Sequence, residues 1–189
     1  MKRILLTLIC CCFAICGFAQ EHLSFKGVPI TGSMTSFCQK LSDKGLTKLG
    51  TEGNITLFRG DFTGRDANIG VIAADNGKDV FAVAVMFDET DTWNTLVNTY
   101  DHYKDLYVEK YGKPKHCVEN NPSRSTNNTS LMLALDNSDF AYGCIFETTG
   151  GSIEISIRKG QLTCQGFVLI RYEDNINNQA KRQSDLDDI

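Results

Sequence analysis

Residues 91–114 read DTWNTLVNTYDHYKDLYVEKYGKP, and their periodicity decides the fold. Trp93, Leu96, Val97, Tyr100, Tyr103, Tyr107, Val108 and Tyr111 recur at spacings of three and four, which places them on one face of an α-helix. Asn94, Asn98, Asp101, His102, Asp105 and Glu109 fall on the opposite face. Thr90 or Asp91 is placed to cap the first amides, and Gly112 with Pro114 ends the helix. A face this rich in aromatic rings needs a broad apolar partner, and the chain on both sides reads as β-strand.

Upstream, 79–88 (DVFAVAVMFD) is apolar on both of its faces, the pattern of a central strand covered on both sides. The turn signal Asp75-Asn76-Gly77-Lys78 precedes it, and strands are expected at 68–74 and 54–62. A short helix over 33–44 carries Met34, Phe37, Cys38 and Leu41 on its apolar face, with Gly32 or Ser33 at its start and Gly45 at its end. Downstream, strands are expected at 116–118, 131–135, 141–147, 152–158 and 165–173, with a polar loop over 119–129. In 152–158 the alternation is clean, Ile153, Ile155 and Ile157 pointing in and Glu154, Ser156 and Arg158 out. Thr149-Gly150-Gly151 and Lys159-Gly160 supply hairpin turns between the last three strands. The expected fold is α+β: antiparallel sheet or sheets packed with one long and one short helix. It forms a single domain over 20–173, with helix-plus-meander halves at 23–89 and 90–173. Residues 174–189 read as a polar tail or short helix whose Ile176 and Ala180 touch the body.

The first 19 residues have the layout of a signal peptide. Lys2 and Arg3 precede an apolar stretch over 4–13, and Gly17-Phe18-Ala19 offers a cleavage site before Gln20. The apolar run is shorter than the roughly 20 residues of a spanning helix, so no membrane span is expected. Cys10, Cys11, Cys12 and Cys16 raise a lipid anchor as the rival reading. Such signals need a small residue before the modified cysteine, whereas Cys10 follows Ile9 and Cys16 follows Ile15. Cleavage near Ala19 and an unlipidated periplasmic or extracellular product are therefore expected. Of 189 residues, 170 remain after residue 19. Losing Lys2 and Arg3 from 19 basic residues leaves 17 against 23 acidic ones, a formal charge of −6. An acidic chain without a basic cluster argues against nucleic acid as a partner.

Cys38, Cys117, Cys144 and Cys164 remain after cleavage. In an oxidising compartment Cys117, Cys144 and Cys164 are disulfide candidates, two of which pair, while Cys38 reads as a buried thiol. His116-Cys117 with Cys144 and Cys164 lacks the paired spacing of a zinc site. His22 is expected to be solvated. His102 sits near Asp101 and Asp105 on the polar helix face, without a second carboxylate one turn back, where Asn98 stands. No G-x-S-x-G or phosphate-cradling glycine loop occurs. Arg59-Gly60-Asp61 overlaps an expected strand, and Asp88, Glu89 and Asp91 lack a glycine-containing calcium loop. Asn54, Asn127 and Asn128 head glycosylation patterns that matter only in a eukaryotic source.

At KGVPI (26–30), the helix end KYGKP (110–114), FET (146–148) and IRYED (170–174), the chain resembles a group of small exported bacterial proteins of unknown function. The motifs are turns and core positions spread over most of the chain, and the resemblance implies no catalytic residue. In element order the two halves are also similar to tandem inhibitor modules of the β-lactamase-inhibitor type and to small assembly factors of the bacterial envelope. The expected function is accordingly a non-enzymatic envelope or secreted binding module, without cofactor, metal or catalytic set. Its partner is an unknown protein or small ligand of the envelope, and Asn98, His102 and Asp105 form the interaction face. The alternative is a small periplasmic hydrolase, which requires a concave site where His102 or His116 meets a carboxylate and a hydroxyl.

Overall fold

Two short strands, β1 (Ser24–Phe25) and β2 (Val28–Pro29), lead into α1 (Met34–Asp43) and a meander of β3 (Thr47–Glu52), β4 (Ile55–Phe62), β5 (Arg65–Ala73) and β6 (Val80–Met86). The pattern then recurs. Helix α2 (Trp93–Tyr111) precedes β7 (His116–Asn120), β8 (Ala141–Glu147), β9 (Gly151–Lys159) and β10 (Gly166–Asp174). Between β7 and β8 lie α3 (Asn128–Leu133) and a 3-10 turn (Ala134–Asp136), and α4 (Asn175–Asp187) follows β10. This computed structural model describes residues 21–74 and 79–187. The expected signal segment with its four cysteines, and the 75–78 turn, lie outside the described residues.

Strands β3 to β10 make one antiparallel sheet in the order β3-β4-β5-β6-β10-β9-β8-β7. Two helix-plus-meander halves joined at their last strands produce this palindromic order. Thr56, Val71, Val83, Tyr172, Ile153 and Phe146 stand opposite one another across five strand pairs and so share a face. That face is dry: α1 contributes Phe37, Cys38 and Leu41 to its core, and α2 contributes Leu96, Tyr100, Tyr103 and Tyr107. The neighbouring row, Leu57, Gly70, Ala84, Arg171, Glu154, Ile145 and His116, looks the other way. The first six residues of β6 are buried, as an apolar run in the middle of a sheet requires. Among the described residues, no helix is long and apolar enough to cross a membrane.

Three expectations need correction, and one strand is an addition. Residues 131–135 (LMLAL) are helical, spanning the end of α3 and the 3-10 turn. Leu, Met and Ala are strong helix formers, none is β-branched, and the Asn127 side chain accepts from Ser130 N–H to cap the turn. Strand β3 (TKLGTE) was unforeseen because all six of its residues are exposed, so it carries no buried alternation. The N-terminus of α2 is capped from afar. Asn128 Oδ1 accepts from Trp93 N–H at 2.8 Å, and its amide donates to Asp91 O at 2.7 Å. Finally, His22 is held rather than solvated, its Nδ1 lying 3.1 Å from both oxygens of the fully buried Asp174 carboxylate. Asp174 also accepts from Leu23 N–H and Asn177 N–H, while the Asn177 amide donates to Ile30 O and Val80 O. These bonds fix the start of α4 and the arm before β1 to the same end of the sheet.

Candidate functional site

A cleft of about 730 Å³ opens between the C-terminal half of α2 and the tips of two hairpins. Helical spacing brings Tyr103, Leu106, Tyr107, Lys110 and Tyr111 to it from α2, and β10 adds Tyr172. Lys26 and Gly27 come from the β1–β2 turn, Phe62 and Thr63 from the end of β4 and the turn after it. Both turns have two central residues at positive φ, Lys26 (49°) with Gly27 (75°) and Thr63 (54°) with Gly64 (83°). Such turns match the twist of paired strands, but a side-chain-bearing residue in this conformation costs about 1–2 kcal/mol. Two of the three non-glycine residues with positive φ among those described thus line this one cleft. Strain of this kind concentrates at functional sites.

Hydrogen bonds hold the strained tips. The hydroxyls of Thr63 and Tyr103 lie 2.9 Å apart, Tyr103 O–H donates to Phe62 O, and Lys26 Nζ donates to Asp61 O at 3.0 Å. Deeper in, the hydroxyls of Tyr107 and Tyr172 hydrogen-bond each other. The rings pack on Phe25, Phe62 and Phe146 with centroids 5.2–5.9 Å apart. Burial is the main cause that pushes the phenols of Tyr103, Tyr107 and Tyr172 above their ordinary value. At neutral pH they are neutral hydrogen-bonding groups, not bases. The partly buried Lys26 and the exposed Lys110 and Glu109 bring charge to the cleft. The arrangement suits a ligand with a flat apolar body and one anionic or accepting end.

The three residues assigned to an interaction face, Asn98, His102 and Asp105, are all exposed along α2, outside this cleft. The ring of His102 meets the edge of Tyr103 at 5.1 Å, so its packing is slight. Asn98→Ala, His102→Ala and Asp105→Ala should therefore each change stability by no more than about 0.5 kcal/mol in denaturant melts. A larger loss at His102 would show that its imidazole is part of the packed body.

Cys117 and Cys144 form a disulfide between directly opposed residues of β7 and β8, while Cys38 and Cys164 are free. Cys38 is buried, and desolvation pushes its thiol up. The Tyr100 hydroxyl lies 2.9 Å from Cys144 Sγ and donates to Glu119 Oε1 at 3.0 Å. Glu119 also pairs with Lys104, which holds its carboxyl below the usual range.

His116 points to the opposite face of β7. There it shares a groove of about 520 Å³ with Ser156 and Glu154, which brings the residue types of the hydrolase reading together. Ser156 Oγ is occupied by Arg158 Nε at 3.0 Å, and Glu154 pairs with Arg158. Among the described residues no hydrogen bond joins His116 to either, so the nucleophile-to-base link is missing. The Arg-Gly-Asp tripeptide lies in β4, where Asp66 and Asp88 engage Arg59. Glu89 accepts from Gln161 N–H.

The cleft was not visible in the sequence, because four separated segments build it. Its only traces were the density of tyrosines and the Lys26-Gly27 and Thr63-Gly64 dipeptides. No family model, curated protein or solved structure matches the chain.

Proposed function

We propose that the protein is an exported, non-enzymatic binding module whose ligand seats an aromatic or fused-ring body in the α2 cleft and turns an anionic group toward Lys26 and Lys110. The observation that carries this reading is the tyrosine-walled cleft with strained turn tips at its mouth. Export is supported by the signal-like first 19 residues, by the cross-strand disulfide, and by the resemblance to small exported bacterial proteins. The buried, neutral phenols favour recognition over proton transfer.

The test uses 1-anilinonaphthalene-8-sulfonate, a fused-ring anion, as the probe. Its fluorescence should rise saturably with one site per chain. Tyr111→Ala and Lys110→Glu should each weaken binding about tenfold, the worth of one aromatic or cationic contact, and the exposed Lys110→Glu should do so with an unchanged melt. Absence of a saturable site, or affinity indifferent to both substitutions, would overturn the proposal. Turnover of a simple ester that disappears in Ser156→Ala would instead favour the hydrolase reading of the His116 groove.

A further inference from the structure

On the dry side of the β7 edge, one pairing register brings together three potential metal ligands. Cys117 and Cys144 are direct partners across β7 and β8, and Glu119, two residues along β7, projects from the same face as Cys117. The two sulfurs and a Glu119 carboxylate oxygen all lie within 4.8 Å of one another. Among the described residues this is the one group of three such ligands. The Tyr100 hydroxyl, within hydrogen-bond reach of Cys144 Sγ and Glu119 Oε1, orients both groups. Cys117 and Glu119 are exposed, so the site can be reached from solvent.

We propose that the Cys117–Cys144 disulfide is the oxidised, closed form of a binding site for a thiophilic divalent cation, whose ligands are the two thiolates and Glu119. A dithiol opens it. One thiolate of the dithiol attacks the exposed Cys117 Sγ, and Cys144 leaves as a thiolate beside the Tyr100 hydroxyl. The second thiol then displaces Cys117 from the mixed disulfide. The dithiol ends as a disulfide, while the protein gains two electrons and two protons. The cation replaces the two thiol protons, and its charge is unchanged. Two sulfurs and one carboxylate suit zinc-like ions, with a remaining position for water. Lys104 is the competitor, since its ammonium pairs with the carboxylate the metal needs.

Cd(II) is the probe, read by thiolate-to-metal charge-transfer absorbance. Protein reduced with excess dithiol and desalted anaerobically should bind one Cd(II) per chain with such a band, and oxidised protein should show none. Cys117→Ser should abolish the band even though Cys38, Cys144 and Cys164 remain. Glu119→Gln should weaken binding at least about tenfold, and Lys104→Met should strengthen it, which a purely structural Glu119 would not produce. The proposal is overturned by a reduced protein without the band, by a band that survives Cys117→Ser, or by an affinity indifferent to Glu119→Gln. Loss of the native melt on reduction also overturns it, because the ligands would then not be held together by the fold.

Discussion

Trp93→Ala should lower the unfolding free energy by about 3–5 kcal/mol, the range for truncating a packed indole. Trp93 is only 9% exposed, and its ring meets Phe140 and Tyr142 edge-on at 6.2 and 5.6 Å. It stands at the first position of α2, where its own N–H is received by Asn128. The indole therefore ties three parts of the chain: the long helix, the segment inserted before β8, and β8 itself. Against a typical total of about 5–15 kcal/mol, the loss is large enough to read directly from a denaturant midpoint. A shift below about 1 kcal/mol would mean that the cavity collapses or that the ring is not packed. Asn128→Ala should cost about 1–2 kcal/mol by removing the cap, and the two losses should not add, because both act on the same helix end.

Alkaline pH should unfold the protein as its buried phenols lose their protons. Burial holds the hydroxyls of Tyr100, Tyr103, Tyr107 and Tyr172 above their ordinary value. An unfolded chain releases these protons near pH 10, whereas the folded chain keeps them. Above that point the unfolded state binds fewer protons, so stability falls with rising pH. The contribution is whole below about pH 10 and is lost as the pH climbs from there toward the folded-state values. Tyr107 and Tyr172, buried and hydrogen-bonded to each other, carry a large share of this loss. Phenolate absorbance and near-ultraviolet circular dichroism followed on one sample should change together. Phenolate formation by these tyrosines in a protein that keeps its tertiary signal would refute the assignment. Tyr107→Phe should flatten the descent.

The parts of the fold that were legible are those where one physical signal dominates. The 3.6-residue period located α2, and a doubly apolar run located β6 at the middle of the sheet. Clean alternation located β9. The failures share a cause, which is dependence on neighbours distant in sequence. A local cap for α2 was expected from Thr90 or Asp91, yet the acceptor is Asn128, 35 residues away. Strand β3 is specified by its register with β4 rather than by its own residues. Residues 131–135 read equally well as strand or helix, because a five-residue apolar run has no period long enough to separate the two. Which cysteines pair was undetermined until β7 and β8 set Cys117 opposite Cys144. The cleft needed all of this at once, since two turns, a helix and a strand must arrive together before it exists.

The palindromic strand order also has a kinetic meaning. Within each half every strand pairs with its predecessor, so most of the sheet can be laid down through short closures. The exception is the β6–β10 pairing, where Ala84 faces Arg171 across 87 positions of chain. Closing a flexible loop of that length carries an entropic penalty of about 4 kcal/mol, several times that of a tight hairpin. Non-local pairing of this kind slows folding in proportion to the closure it requires. The topology thus gathers its long-range strand pairing into one seam between two locally assembled sheets, and closure of that seam is the step expected to limit the folding rate.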